Sequence, residues 1–308
     1  MGLALLFPGQ GTQHAQMLPW LEAEAGAQPL LQRLVDRLGT DWRKHLADAE
    51  WARTNAVAQP LLVGVESAAW ACLAPRLPAP RVIAGYSVGE VAAFAAAGVF
   101  DAGTAVDLAQ VRAEAMAHSA GDRPTRLVAV RDLPRAAREA WCARHGLALA
   151  IRLGPDRAIV GGLAQAVEEA VEDPVVAGGR TSDIGVRIAS HTPWMQAAAE
   201  AFARHLTTLA LHAPTATLVC NFIAAAAHRP EALARCLSAQ IASPVLWDSC
   251  MESIAERQVD CVLEVGPGTT LASLWRTAHP DVPARSVDEF RSADAIVQWV
   301  NRALQIGR

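Results

Sequence analysis

The chain has 308 residues, 52% of them hydrophobic, with a formal net charge of −4. That length supports a large core plus a smaller unit, and the acidic balance, without basic runs or aromatic–basic interleaving, argues against nucleic acid as a partner. Residues 3–7 are too short and lack the basic flank of a signal peptide, position 6 is Leu where myristoylation wants Ser or Thr, no apolar run reaches membrane-spanning length, and six scattered cysteines suggest neither disulfides nor a metal site but reduced thiols in the cytoplasm.

Taken in order, residues 2–7 read as an apolar strand that runs into FPGQGTQ, residues 7–13. Glycines on both sides of Gln10 permit a backbone whose N–H groups face a cavity, as in anion-binding nests; an ordinary strand-to-helix turn has the same composition. Helices are expected over 19–38 and 59–73, before the break at 75–80. Residues 81–84 read as a buried strand, 91–98 as an Ala-rich helix, and between them lies GYSVGE with Ser87 at its apex. Strand, tight turn and helix are the context that G-x-S-x-G requires, since small residues let the backbone bend and project the hydroxyl beside the helix N-terminus. The N–H of Val88 could then stabilise an oxyanion. The bare motif also arises by chance in a chain with 21 glycines.

A helix over 101–116 carries Arg112 among Ala105, Leu108, Ala109, Val111 and Ala115. A guanidinium on an apolar face needs an anion: a bound carboxylate is one reading, a structural pair with Glu114 or Glu90 another. Beyond Gly121 the pattern changes to strand 127–130, helix 134–145, strands 147–153 and 157–161, helix 164–172 and strand 182–188. This βαββαβ order is ferredoxin-like, and it places a small inserted domain at 124–187 inside a large domain made of 1–123 and 188–308. The large domain resumes with a helix over 192–209, a strand at 217–220, a helix over 230–240 and a strand at 260–265 ending in Gly-Pro-Gly. Such alternation implies a mainly parallel sheet with helices on both faces. The tail has a capping-box spacing, Ser286 with Glu289, and then a helical pattern. Among nine histidines, His191 is the best candidate base for a serine, because it stands in IASHTP where a strand is expected to stop.

FPGQGTQ, GYSVGE, QVRAEAM around Arg112, IASH at His191, SPVLW at 243–247 and EVGPG at 264–268 resemble, in that order, the motifs of malonyl-CoA:acyl-carrier-protein transacylases. The resemblance spans nearly the whole chain and implies an α/β-hydrolase-like large domain with a ferredoxin-like insertion. It further implies that Ser87 is the acylated nucleophile, His191 its base, the amides of Gln10 and Val88 the oxyanion hole, and Arg112 the grip on the malonyl carboxylate. The histidine would be oriented by a main-chain carbonyl, matched here to Leu246. Gln59, Tyr86 and Trp247 would line the substrate pocket.

Two positions depart from the family pattern: Tyr86 stands where His is usual, and Arg152-Leu153-Gly154-Pro155 lacks the usual Asn. GYSVGE, AQPLL and DEFRS are most similar to the acyltransferase (epsilon) subunit of malonate decarboxylase. The implied reaction takes malonyl-CoA as substrate and the phosphopantetheine-type arm of an acyl carrier protein as acceptor, with no permanently bound cofactor. The alternatives are a malonyl transacylase of fatty acid or polyketide synthesis, a serine thioesterase and a non-catalytic scaffold.

Overall fold

Five consecutive apolar residues, Leu3–Phe7, form strand β1, and all five are buried. A strand covered on both faces reads as an unbroken apolar run, which is how a central strand of a helix-sandwiched parallel sheet differs from an alternating one. The computed structural model describes residues 2–121, 123–177 and 180–306. In it β1 lies inside a six-stranded sheet. Its other members are β2 (Val82–Gly85), β7 (Thr217–Cys220), β8 (Ala225–Ala227), β10 (Cys261–Glu264) and β11 (Ala284–Ser286), in the order β11-β10-β1-β2-β7-β8. All pairings are parallel except β7 with β8. The register places Phe7 opposite Gly85, so FPGQG and GYSVGE leave the sheet side by side at the carboxyl ends of their strands. Parallel α/β sheets put their chemistry at that edge.

The helix Asn55–Leu73 crosses the core with most of its residues buried. Contrary to the expectation of no membrane-length segment, Asn55–Arg76 is long and apolar enough by composition, and 83% of its apolar window is buried inside the protein. Gln59 and Glu66 break the apolar run in sequence but not on the folded helix. The helix expected over 19–38 begins only at Gln28, because Pro29 favours the first turn; two short 3-10 turns precede it.

The second sheet holds β3 (Thr125–Val130), β4 (Ala148–Arg152), β5 (Ala158–Leu163), β6 (Thr181–Asp183) and β9 (Val245–Leu246), in the order β6-β3-β5-β4-β9. Helices Arg135–His145 and Ala164–Val171 follow β3 and β5 in the chain, giving βαββαβ with antiparallel pairing throughout the first four strands. Their apolar sides close on Val128, Val130 and Val160. The strand expected over 182–188 stops at Asp183, whose carboxylate accepts the N–H of Gly185 at φ 72° and turns the chain. His191 therefore follows an irregular segment, not a strand. β8, β9 and β11 have two or three residues each and carry no period long enough to read. β9 belongs to the chain after the insertion, yet pairs in parallel with β4. Arg152 at the end of β4 reinforces this junction: its Nε–H is shared between the two carboxylate oxygens of Asp248, at 2.7 and 2.8 Å.

Candidate active site

At the elbow, Ser87 has φ 56°, a left-handed conformation that costs a non-glycine residue about 1 kcal/mol or more. Close packing holds it there. A Cβ on Gly85 would meet the Gly89 carbonyl carbon and oxygen at 2.2 Å, and one on Gly89 would lie 2.3 Å from the carbonyl oxygens of Phe7 and Pro8. The two glycines of the motif thus let the turn fold onto itself and onto β1. The Ser87 N–H donates to Asn221 Oδ1 at 2.9 Å, and Asn221 Nδ2 donates to the Gly85 carbonyl at 2.6 Å. Asn221 in turn gives its own N–H to Glu90 at 2.6 Å. Burial pushes the Glu90 carboxyl well above the ordinary carboxylate range, against the Asn221 N–H and the Arg112 charge, which both pull it down.

Ser87 Oγ lies 2.8 Å from His191 Nε2. His191 is buried, with φ 64°, and its Nδ1 is 2.5 Å from the carbonyl oxygen of Gln240. A carbonyl only accepts, so Nδ1 carries the proton and the Nε2 lone pair faces the serine. The expected Leu246 carbonyl does not fill this role: Leu246 lies in β9 opposite Arg152. Gln240 caps the helix Pro230–Ala239, where the last carbonyls have no intrahelical donor, and one of them is free for the imidazole. The N–H of His191 donates to the next carbonyl, that of Ile241, at 2.8 Å, so both bonds come from one helix end.

Arg112 is 1% exposed and makes no ion pair among the described residues. Its Nη1 donates to Gln59 Oε1 at 2.7 Å, its Nη2 approaches Gln240 Oε1 at 3.4 Å, and its Nε has no partner. Glu114, one suggested counter-ion, accepts instead from Gln110, and the other, Glu90, accepts the Asn221 N–H and makes no direct ion pair with Arg112, although its charge offsets part of the burial cost of the guanidinium. Burial lowers the Arg112 pKa to about 10, which still leaves it cationic at neutral pH. Gln240 joins the two halves of the site. Its carbonyl holds His191, its side-chain oxygen faces Arg112, and its Nε2 reaches the Ser87 carbonyl at 3.3 Å. Sequence reasoning missed it; the only trace was a lone amide at the end of an apolar helix. Burial, with the Arg112 charge adding to it, lowers the His191 pKa from 6.5 to about 3, so the imidazole is neutral.

The remaining candidates surround this core. Gly9 packs on the elbow, its Cβ direction blocked at 2.8 Å by Tyr86, and the Gln10 side chain is anchored outward to the Arg53 carbonyl and Asn55 Oδ1 at 2.9 and 3.1 Å. Val88 precedes the first residue of the helix Gly89–Ala96, where N–H groups lack intrahelical acceptors. Tyr86 sets its ring edge-on to Trp247 at 5.2 Å. Leu153 packs against the same apolar cluster. Among the described residues no group of three His, Cys, Asp or Glu side chains is placed to hold a metal.

The chain as a whole is similar to known proteins. A malonyl CoA-acyl carrier protein transacylase of Mycobacterium tuberculosis is 35% identical over 304 residues, covering 96% of this chain and 99% of its own; one of Haemophilus influenzae is 29% identical over 310 residues, covering 96% and 98%. The crystal structure of an acyl-carrier-protein S-malonyltransferase of Burkholderia pseudomallei superposes with a TM-score of 0.88 at 28% identity, covering 97% of this chain and 100% of that one. A malonyl-transacylase solved with its type II polyketide synthase acyl-carrier protein gives 0.89 at 26%, covering 97% and 99%. The α/β architecture with its inserted sheet is shared across that whole length, and the match to the acyl transferase domain model runs over residues 4–299, so the chain belongs to the acyl transferase domain family.

Proposed function

We propose that this protein moves a malonyl group from coenzyme A, through an ester on Ser87, to the thiol of an acyl carrier protein's phosphopantetheine arm. The observation that carries the reading is a buried arginine that makes no ion pair among the described residues, joined through one glutamine to a serine–histidine pair. His191 takes the Ser87 proton as the serine oxygen attacks the thioester carbonyl, and the amides of Val88 and Gln10 face the oxyanion. Collapse expels the coenzyme A thiolate, which His191 protonates. The carrier thiol then gives its proton to His191, attacks the acyl-serine, and the serine oxygen recovers the proton on leaving.

Arg112 sets the acyl choice. A malonyl carboxylate satisfies its unpaired guanidinium, whereas an acetyl group leaves a buried charge alone at a cost of several kcal/mol. The carboxylate has a second effect. By cancelling the Arg112 charge it removes part of what depresses His191, so the correct substrate makes the base more basic.

The named relatives favour a carrier of fatty acid or polyketide synthesis. The malonate decarboxylase carrier is the second reading, and Tyr86 in GYSVGE is the residue that favours it. We place the reaction in the cytoplasm, in keeping with six free, buried cysteines, and assign residues 124–187 to the insertion as one unit. The test is intact-mass analysis after malonyl-CoA, in the parent and in Ser87→Ala, followed by addition of two carriers, one with plain phosphopantetheine and one with the phosphoribosylated arm. A malonyl adduct confined to the parent and discharged by the plain carrier is expected. Discharge only by the other carrier selects the decarboxylase reading, rapid loss to water selects a thioesterase, and no adduct refutes the transfer.

A further inference from the structure

The logic that gives Arg112 an anion applies once more, on the inserted unit. Arg138, on the helix Arg135–His145 of the insertion, is 3% exposed, forms no ion pair among the described residues, and its buried Nη1 has no partner. It lines a cavity of about 270 Å³ together with Arg135, Arg152, Cys142, Leu149 and Val160. The two other arginines there are already matched. Arg135 binds Glu139 at 2.7 Å, and Arg152 binds Asp248 at 2.7 Å and Ser249 Oγ at 2.6 Å. Burial pushes the Cys142 thiol up to about 11, so it supplies no negative charge. Three guanidiniums therefore share two carboxylates, and the unmatched one is the most buried.

We propose that this cavity is a binding site for a phosphate-type oxyanion, held by Arg138 and flanked by Arg135 and Arg152. Guanidinium forks match phosphate oxygens, and an anion here completes a cluster that is short of one negative charge. Inorganic phosphate and the phosphate monoester of coenzyme A share this chemistry.

The test uses the full chain. Calorimetric titration with inorganic phosphate, at constant ionic strength set with chloride, is paired with melting curves over the same range. One site per chain is expected, with a melting temperature that rises with phosphate and not with chloride. Arg138→Met should raise the phosphate Kd at least tenfold, the exposed Arg135→Ala should raise it less, and both should keep malonyl loading of Ser87. If Arg138→Met does not fold, Arg138→Lys is read instead and should weaken binding several-fold. Coenzyme A and its 3′-dephospho form, titrated in competition with phosphate, separate the sources: displacement by coenzyme A alone assigns the monoester, and displacement by neither assigns the free ion. Phosphate acting no differently from chloride, or binding equally to the parent and the Arg138 variant, overturns the site.

Discussion

The Ser87 side and the Arg112 side of the site are built by different means. Around Ser87 the main chain does the positioning: a left-handed residue, two glycines folded against each other, a register that brings Phe7 beside Gly85, and one asparagine bonded to two backbone groups. Around Arg112 there is no such frame. Its guanidinium is held by the side-chain amides of Gln59 and Gln240, which come from separate helices. The difference teaches that the geometry at Ser87 is locked to the fold, whereas the setting of Arg112 depends on a few side chains that can change without disturbing it.

Three experiments break or sharpen that contrast. The largest effect is expected on the main-chain side, where Gly89→Ala drives a methyl to 2.3 Å from two carbonyl oxygens and should remove about 3 kcal/mol or more of stability, together with loading from any acyl-CoA. Gly11→Ala is its control. That residue has φ 102° but open space around it, so a loss of only about 1 kcal/mol is expected in the melting curve. On the side-chain side the fold should survive. Arg112→Ala should lower kcat/KM for malonyl-CoA by about 100-fold or more and raise it for acetyl-CoA, which no longer leaves a buried charge alone, and Gln240→Leu, which keeps the carbonyl that holds His191, should lower it for malonyl-CoA by about tenfold. Equal losses for both substrates would show that the two sides are not separable.

The smallest effect is a pH shift. His191 is neutral above a pKa of about 3 in the free enzyme, below the ordinary 6.5. The acid limb of kcat/KM reports that free state, and the limb of kcat reports the complex in which the carboxylate cancels Arg112. The kcat limb should therefore lie at higher pH, with both below 6.5. The reverse order would mean that the Arg112 charge does not reach the base. The same depression makes the His191 contribution to stability full above pH 6.5 and lost as pH falls toward 3, because the unfolded chain takes up the proton first.

Legibility in the sequence follows the same division. The elbow and FPGQG are contiguous because a tight turn constrains neighbouring residues, and Ser87, Gln10 and Val88 could be named from them. His191 could be named from its place ahead of a helix, although the strand expected before it is absent. Gln240 and Asn221 could not, since hydrogen bonds between distant segments impose no spacing. The Leu246 assignment failed for that reason: a carbonyl has no side-chain signature, and any residue near SPVLW would have served. Among the strands, β1, β2, β7 and β10 stand out as apolar runs, while β9 has two residues and only its partner β4 makes it a strand.

β9 carries a consequence for motion. Two backbone-paired residues and the Arg152–Asp248 clasp splice a piece of the large unit into the edge of the insertion, and the next residue, Trp247, abuts the tyrosine that precedes the nucleophile. Any swing of the insertion would have to unzip that splice and drag the elbow with it. The two sheets are thus stitched at this edge, so the insertion shares its boundary with the neighbour of the elbow instead of hinging freely.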